Sequence, residues 1–313
     1  MESLFTPRAP WIAALATALV TYIGARLALR HGWIDRRTGD QAARKPRITP
    51  VPLVGGPALL IGIIVAGLVL PGSGVDEPPW VALCAALALG LVDDLRAQGL
   101  TPRVKFGGQI LVAAALALDP RIGLPLESGS RALVFTVALV SQNAINTFDN
   151  ADGAAGSLAL VGLFPVAAVR GALVGFLPFN IVRWRRGHAD RVPWAYLGDS
   201  GTHFLGVWIA AVPAAWPVLV LPVLDLARLS RLRVARGRAP WEGDRCHLAH
   251  RLLAADWPGP IVALTLAAVG GLPVLGARIS TEGALAGTLG CVLAFLILVQ
   301  GTPDPEASGG QDL

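Results

Sequence analysis

The stretch "NAINTFDNADGAAG", Asn143–Gly156, begins two residues after the apolar run "RALVFTVALV" and sets three asparagines and two aspartates between Asn143 and Asp152. If the run is a membrane helix, these polar groups sit at its end, beside hydrocarbon. Carboxylates there are costly and persist mainly where they line a functional cavity. Whether the run is such a helix decides the fold.

The rest of the chain answers that question. Of 313 residues, 54% are hydrophobic and only 15% charged, and the mean hydropathy is +0.59. A soluble domain carries roughly a quarter charged residues. Apolar runs recur around 10–29, 51–70, 79–92, 104–118, 131–147, 154–169, 171–182, 201–224, 257–277 and 283–300. Most approach the ~17–25 residues that cross a bilayer. The sequence predicts an all-α polytopic membrane bundle of about 9–11 segments, some short or broken. It forms a single domain over residues 1–301, and the polar, Gly/Pro-rich end 302–313 predicts a disordered tail.

A net charge of +5 could suggest nucleic acid, but its placement argues against that partner. Twenty of 26 Lys and Arg fall in four clusters, Arg30–Arg47, Arg96–Lys105, Arg183–Arg191 and Arg228–Arg251. Alternate connections such as "PGSGVDEPP" and "DPRIGLPLESGS" are poor in them. This positive-inside pattern predicts a multi-pass protein of the inner (plasma) membrane with the four clusters in the cytoplasm. Alternating spans then put the N-terminus outside, and Asn143–Gly156 and the C-terminus inside. The first segment has no small-residue cleavage site and reads as a retained span. Cys84, Cys246 and Cys291 lie far apart, without metal or redox spacing.

With that topology the polar exceptions gather on one side. "GLVDDLRAQGLTPRVKFGGQ" puts Asp93, Asp94 and Lys105 at the cytoplasmic boundary, where Asn143, Asn146, Asp149 and Asp152 also lie. "AYLGDSGTHFLG" adds Tyr196 and Asp199, "FLPFN" adds Asn180, and "PWEGDRCHLAHRLL" adds Asp244, His247, His250 and Arg251. The first loop, "ARKPRITPVPLVGG", offers Lys45 and Arg47. Each piece alone has an ordinary reading. The acidic pair is a solvated helix end, Asp152-Gly153 a turn, and Asp199 a helix cap. Tyr196 is an interfacial anchor and Lys45 a positive-inside residue. Their convergence on one boundary favours chemistry. Aspartates suit Mg²⁺, which binds through one or two carboxylates plus substrate phosphates, and Lys, Arg and His suit phosphate charge. At a lipid interface that combination fits phosphoryl transfer between a nucleotide compound and a lipid.

These motifs, in order from about residue 44 to 253, resemble those of the polyprenyl-phosphate N-acetylhexosamine-1-phosphate transferases. That family includes the undecaprenyl-phosphate GlcNAc-1-phosphate transferases and the phospho-MurNAc-pentapeptide translocase. The resemblance implies that a UDP-N-acetylhexosamine and a polyprenyl (undecaprenyl) phosphate yield polyprenyl-pyrophosphoryl-sugar and UMP. It implies Mg²⁺, with Mn²⁺ as a substitute, held by Asp199 and Asp94, and Asp93, Asp94 and Asp199 as the catalytic acids. Asn143, Asn146, Asp149 and Asp152 would bind the nucleotide or order its loop. Lys105 would contact uridine or phosphate, Tyr196 would stack on uracil, and Lys45 and Asn180 would line the substrate site. His247 and His250, with Arg251 and Asp244 nearby, would meet sugar or diphosphate. A homodimer is compatible with this reading.

Two departures and one length stand out. Asn150 replaces the first glycine of the family's Asp-Gly-x-Asp-Gly, and Ala249 replaces the middle histidine of HxHH. Asn180 follows Asp152 by 28 residues, a helical reach of ~42 Å against ~60 Å for two full crossings. Asp225 follows Asp199 by 26. Pro165, Pro213 and Pro217 sit mid-interval, so two shortened hairpins are expected. A catalytically weakened relative acting as a scaffold in glycan assembly is the alternative to an enzyme. An ion-coupled transporter fits less well, since its charges belong near the midplane.

Overall fold

The computed structural model describes residues 8–35, 49–70, 78–96, 98–122, 128–182, 184–186 and 190–306. Helices form over the apolar runs. They are α1 (Ala9–His31), α2 (Gly55–Val69), α3 (Trp80–Leu95), α4 (Pro102–Ala117), α5 (Ser128–Phe148), α6 (Ala154–Gly162) and α7 (Ala167–Ile181). A three-residue antiparallel pair, β1 (Trp184–Arg186) with β2 (Asp190–Val192), leads to α8 (Gly198–Ala211). A 3₁₀ segment, Pro213–Leu219, joins α8 to α9 (Val220–Ala235). The short α10 (Leu248–Ala254) precedes α11 (Gly259–Ala277) and α12 (Thr281–Gln300). The protein is an all-α membrane protein, as its composition predicts.

Local chemistry explains the helix ends. Proline opens α1, α4 and α11, where its missing N–H costs no intrahelical bond. Ser280 caps α12 by accepting from the Gly283 amide at 2.9 Å. Among the described residues, α1, α11 and α12 are long and apolar enough to cross a membrane. Leu285, Leu289 and Leu293 on α12 are exposed, a lipid-facing stripe at four-residue spacing.

Both expected interruptions occur. The nine residues of α6 rise only about 14 Å and the fourteen of α8 about 21 Å, against ~30 Å of hydrocarbon. The first break falls at residues 163–166, around Pro165. The second is the 3₁₀ segment that Pro213 opens and Pro217 interrupts. Arg170 lies over the exposed Phe164 ring at 4.6 Å and donates to the Phe164 carbonyl at 2.8 Å, tying the first break down. If these breaks face the outer water, cysteines introduced at Phe164 and at the exposed Ala214 should react with an impermeant maleimide added to intact cells. Labelling only after permeabilisation would overturn that orientation.

Packing centres on α8. All of Ser200–Ala210 is buried, with α3 and α5 against it. Ser141 of α5 donates to the Gly206 carbonyl at 2.8 Å, one of the polar links by which membrane helices associate. Residues 302–306, past the boundary expected at 301, lie against the arginines that follow α9. Glu306 accepts from Arg236 and Arg238 at 2.9 Å each, and Asp304 accepts from Arg236 at 3.0 Å. Residues 307–313 lie outside the described part.

Candidate active site

Four helix ends meet on one side of the bundle: the C-termini of α3 and α5 and the N-termini of α4 and α8. Lys105, in the first turn of α4, sits between two carboxylates. Its Nζ is 3.0 Å from Asp93 Oδ2 and contacts Asp199 Oδ2 directly. Asp93 also accepts from the Leu100 amide. Asn146 donates to Asp199 Oδ1 at 2.6 Å and to the Thr202 hydroxyl at 2.9 Å. Asn143 donates to Gln109 Oε1 at 3.0 Å, and Gln109 Nε2 lies 3.0 Å from His203 Nε2. The structure thus brings Asp93, Lys105, Asn146 and Asp199 into one connected network, with Asn143 in a second chain through Gln109 and His203.

Asp94 does something different from its neighbour. Its two oxygens accept from the Asp199 and Ser200 amides at 2.8 and 3.0 Å. It therefore caps the N-terminus of α8, where a carboxylate is favoured by the exposed amides and the helix dipole. Both oxygens expected to reach a metal are thus each engaged by an α8 amide. Gly198 has φ +72°, and a Cβ there would stand 2.6 Å from Asp94 Oδ2. The cap needs a glycine on both counts.

The start of α8 is braced from two more sides. Gly55 and Gly56 donate to the carbonyls of Tyr196 and Leu197 at 3.1 and 3.2 Å, and the Tyr196 amide donates to Pro52 at 2.8 Å. Added to Gly56, a Cβ would meet the Ser200 hydroxyl at 2.6 Å, and one on Gly90 would overlap the Asp199 backbone. Tyr196 thus joins the first loop to α8 through its main chain, beyond the stacking role expected of its ring.

Other expected site residues stand apart from this network, each with partners of its own. Asn180 is buried and donates to the Ala195 carbonyl at 3.0 Å, which ties α7 to the approach to α8. Arg251 is buried, with its guanidinium on the carbonyls of Val299 (2.7 Å) and Thr302 at the end of α12. Asp244 accepts from Arg233 Nε at 2.5 Å and from the Cys246 amide at 2.8 Å. Burial alone would raise its carboxyl pKa, but the Arg233 and Cys246 bonds outweigh that and hold it below the usual range. Asp149 and Asp152 are half-buried on the loop from α5 to α6. The left-handed turn there falls on Gly153, φ +84°, so Asn150 at the substituted glycine position needs no positive φ. Lys45 and Arg47 lie outside the described residues.

Five contributors escape sequence reading: Gln109, Thr202, His203, Asp225 and Arg233. Gln109 and His203 lie one helical turn beyond Lys105 and Asp199, so i+4 spacing could have found them. Asp225 is a lone acid in "LPVLDLARL", buried beneath the histidine loop.

His250 is half-buried, with its ring 6.0 Å from that of His247. Burial lowers its pKa from the ordinary 6.5 to about 4, helped by His247 and Arg245. The unfolded chain therefore binds that proton more readily than the folded one. The stabilisation is present above pH 6.5 and is lost as pH falls toward 4. Detergent-solubilised wild type should lose more melting temperature between pH 6.5 and 5 than His250→Leu does; equal losses would refute the shift.

The family description "Glycosyl transferase family 4" matches residues 79–216, a span that holds every member of the carboxylate network. A decaprenyl-phosphate N-acetylglucosaminephosphotransferase of Mycobacterium leprae is 28% identical, over 77% of this chain and 76% of its own length. Over residues 79–216 the chain is thus similar to glycosyl transferase family 4. A second relative, a probable undecaprenyl-phosphate N-acetylglucosaminyl 1-phosphate transferase of Bacillus subtilis, is 26% identical over 78% of this chain and 76% of its own. A phospho-N-acetylmuramoyl-pentapeptide-transferase of Trichormus variabilis is 30% identical over 64% and 63%. The family match stops before the histidine loop, so the roles of Asp244, His247, His250 and Arg251 rest on this chain's own geometry.

Proposed function

We propose that the protein transfers N-acetylhexosamine-1-phosphate from a UDP-sugar to a polyprenyl phosphate in the plasma membrane, with UMP as the leaving group. The observation that carries this reading is the pair of carboxylates, Asp93 and Asp199, sharing one ammonium at the end of a membrane bundle. The names of the relatives supply the acceptor, a polyprenyl phosphate, and the N-acetylglucosamine phosphate that is moved. In the reaction an oxygen of the lipid phosphate bonds to the sugar-bearing phosphorus. The bond from that phosphorus to the bridging oxygen breaks, and the bridging oxygen leaves with UMP.

The donor set fits Mg²⁺. Among the described residues no three His, Cys, Asp or Glu side chains gather as a metal cage. Two carboxylates do converge on a cation, and one or two suffice where substrate phosphates complete the coordination. Asp199 and Asp93 would hold the ion, with Mn²⁺ as a substitute. Bound there, the ion would neutralise charge on the transferring phosphates. Lys105, released from one carboxylate, would hold a phosphate oxygen. Asn146 keeps Asp199 turned toward the site, and Asp94 fixes the helix that carries it. The lipid phosphate, with a second pKa near ~6 by analogy with phosphorylated side chains, is largely dianionic at neutral pH. A strong general base is unnecessary, and positioning and charge neutralisation do most of the work. The basic loops put this face in the cytoplasm.

Purified protein with undecaprenyl phosphate, Mg²⁺ and a panel of UDP-N-acetylhexosamines should release UMP only when lipid and divalent ion are both present. The panel also identifies the sugar. Folded protein that binds a UDP-sugar yet releases no UMP with any donor would instead support the scaffold reading.

A further inference from the structure

The sequence presents His247 and His250 as equivalent members of one motif, but their surroundings differ. His247 is 5% exposed and stands at the N-cap of α10. Its Nε2 lies 3.4 Å from Arg233 Nη2. A guanidinium can only donate, so Nε2 is the acceptor and the ring proton belongs on Nδ1. Among the described residues Nδ1 has no hydrogen bond within reach and faces the Asp225 carboxylate, its Oδ2 at 3.6 Å, a short closure from one.

Both neighbours are themselves held in place. Asp225 accepts from the Leu248 amide at 3.3 and 3.2 Å and from Arg228 at 2.8 Å. Arg233 is fixed by Asp244 at 2.5 Å and by the Pro240 carbonyl at 2.7 Å. Both His247 nitrogens thus face groups inside the protein. Ala249, where the family has another histidine, is 4% exposed and belongs to the core. His250, edge-on to His247 at 76°, is left as the histidine of this loop that is not enclosed. Among the described residues no side chain hydrogen-bonds to it.

We infer that the two histidines divide their labour. His250 touches the substrate diphosphate or sugar, while His247 is a positioning residue whose tautomer and orientation are set by Asp225 and Arg233. This rests on the proposed transfer reaction. Asp225 acts through a ring it orients, as outer partners of functional histidines do elsewhere.

Isosteric replacements separate the roles. An asparagine amide overlays imidazole Nδ1, and a glutamine amide reaches the place of Nε2. His247→Asn, which keeps an N–H facing Asp225, should hold kcat/KM within about fivefold. His247→Gln and Asp225→Asn should lose roughly 10- to 100-fold, the usual range for such outer partners. Both His250→Asn and His250→Gln should lose about a hundredfold or more, chiefly in kcat. The inverse pattern at His247, activity kept by Gln and lost with Asn, would place its Nε2 on substrate and overturn the assignment. The second readout needs no turnover. With only five histidines in the chain, ¹⁵N-histidine spectra of the full-length protein in detergent can resolve His247. A protonated Nδ1 that shifts toward Nε2 protonation in Asp225→Asn supports the assignment, and an Nε2–H tautomer in wild type refutes it. If wild type turns over no donor, the transfer reaction fails and the spectra alone decide the role of His247.

Discussion

Asp199→Asn should cut turnover by about a hundred- to a thousandfold, the scale for removing one preorganised charge partner from an active site. The change is close to isosteric. The new side-chain oxygen can still accept from Asn146, which now stands 2.6 Å from Asp199 Oδ1. Asp94 meets only the main chain at residue 199, so the cap on α8 is unaffected. Melting temperature in detergent should therefore stay close to wild type while UMP release collapses. More than a tenth of wild-type activity remaining would remove Asp199 from the centre of the reaction.

Lys105→Met should have the second-largest effect, a fall in kcat/KM of about a hundredfold, carried mainly by KM for the sugar donor. The ammonium now lies between Asp93 and Asp199. Without it the two carboxylates repel each other and attract a cation more strongly. The Mg²⁺ concentration for half-maximal activity should therefore fall even as activity falls. Lys105→Arg should rescue little, because a planar fork does not replace a compact ammonium between two acids. An unchanged Mg²⁺ requirement in Lys105→Met would show that lysine and metal do not share these carboxylates.

Much of the site is legible from the chain because each key group interrupts an apolar run at its polar end. Asp93, Lys105, Asn146 and Asp199 all announce themselves that way, and the short hairpins follow from counting residues against bilayer thickness. Roles set by contacts distant in sequence are not legible. Asp93 and Asp94 look interchangeable as a pair, yet consecutive helical residues point about 100° apart. One faces Lys105 and the other the end of α8, 105 positions away. Nothing near Arg251 in sequence, where it reads as a substrate-site residue, announces its bond to Thr302, 51 residues on. Asn180 reads as a site amide until its bond to Ala195 is seen, and the environment of Asp225 depends on a loop that follows it by some twenty residues. Each of these contacts belongs to a polar group whose partner comes from another part of the chain.

The meeting of Gly56, Gly90 and Gly198 at the start of α8 bears on how damage to this protein would be interpreted. None of the three offers a side chain to any ligand. Adding one methyl at Gly56 or Gly90 would push a neighbouring helix off the segment that carries Asp199, and at Gly198 it would crowd the Asp94 cap. A saturation screen scored only for survival would therefore rank these glycines beside the acids, and the map would not separate chemistry from joinery. Nucleotide-sugar binding measured on the surviving folded variants would separate them, since a shifted helix weakens every contact of the site together, whereas a lost carboxylate removes one.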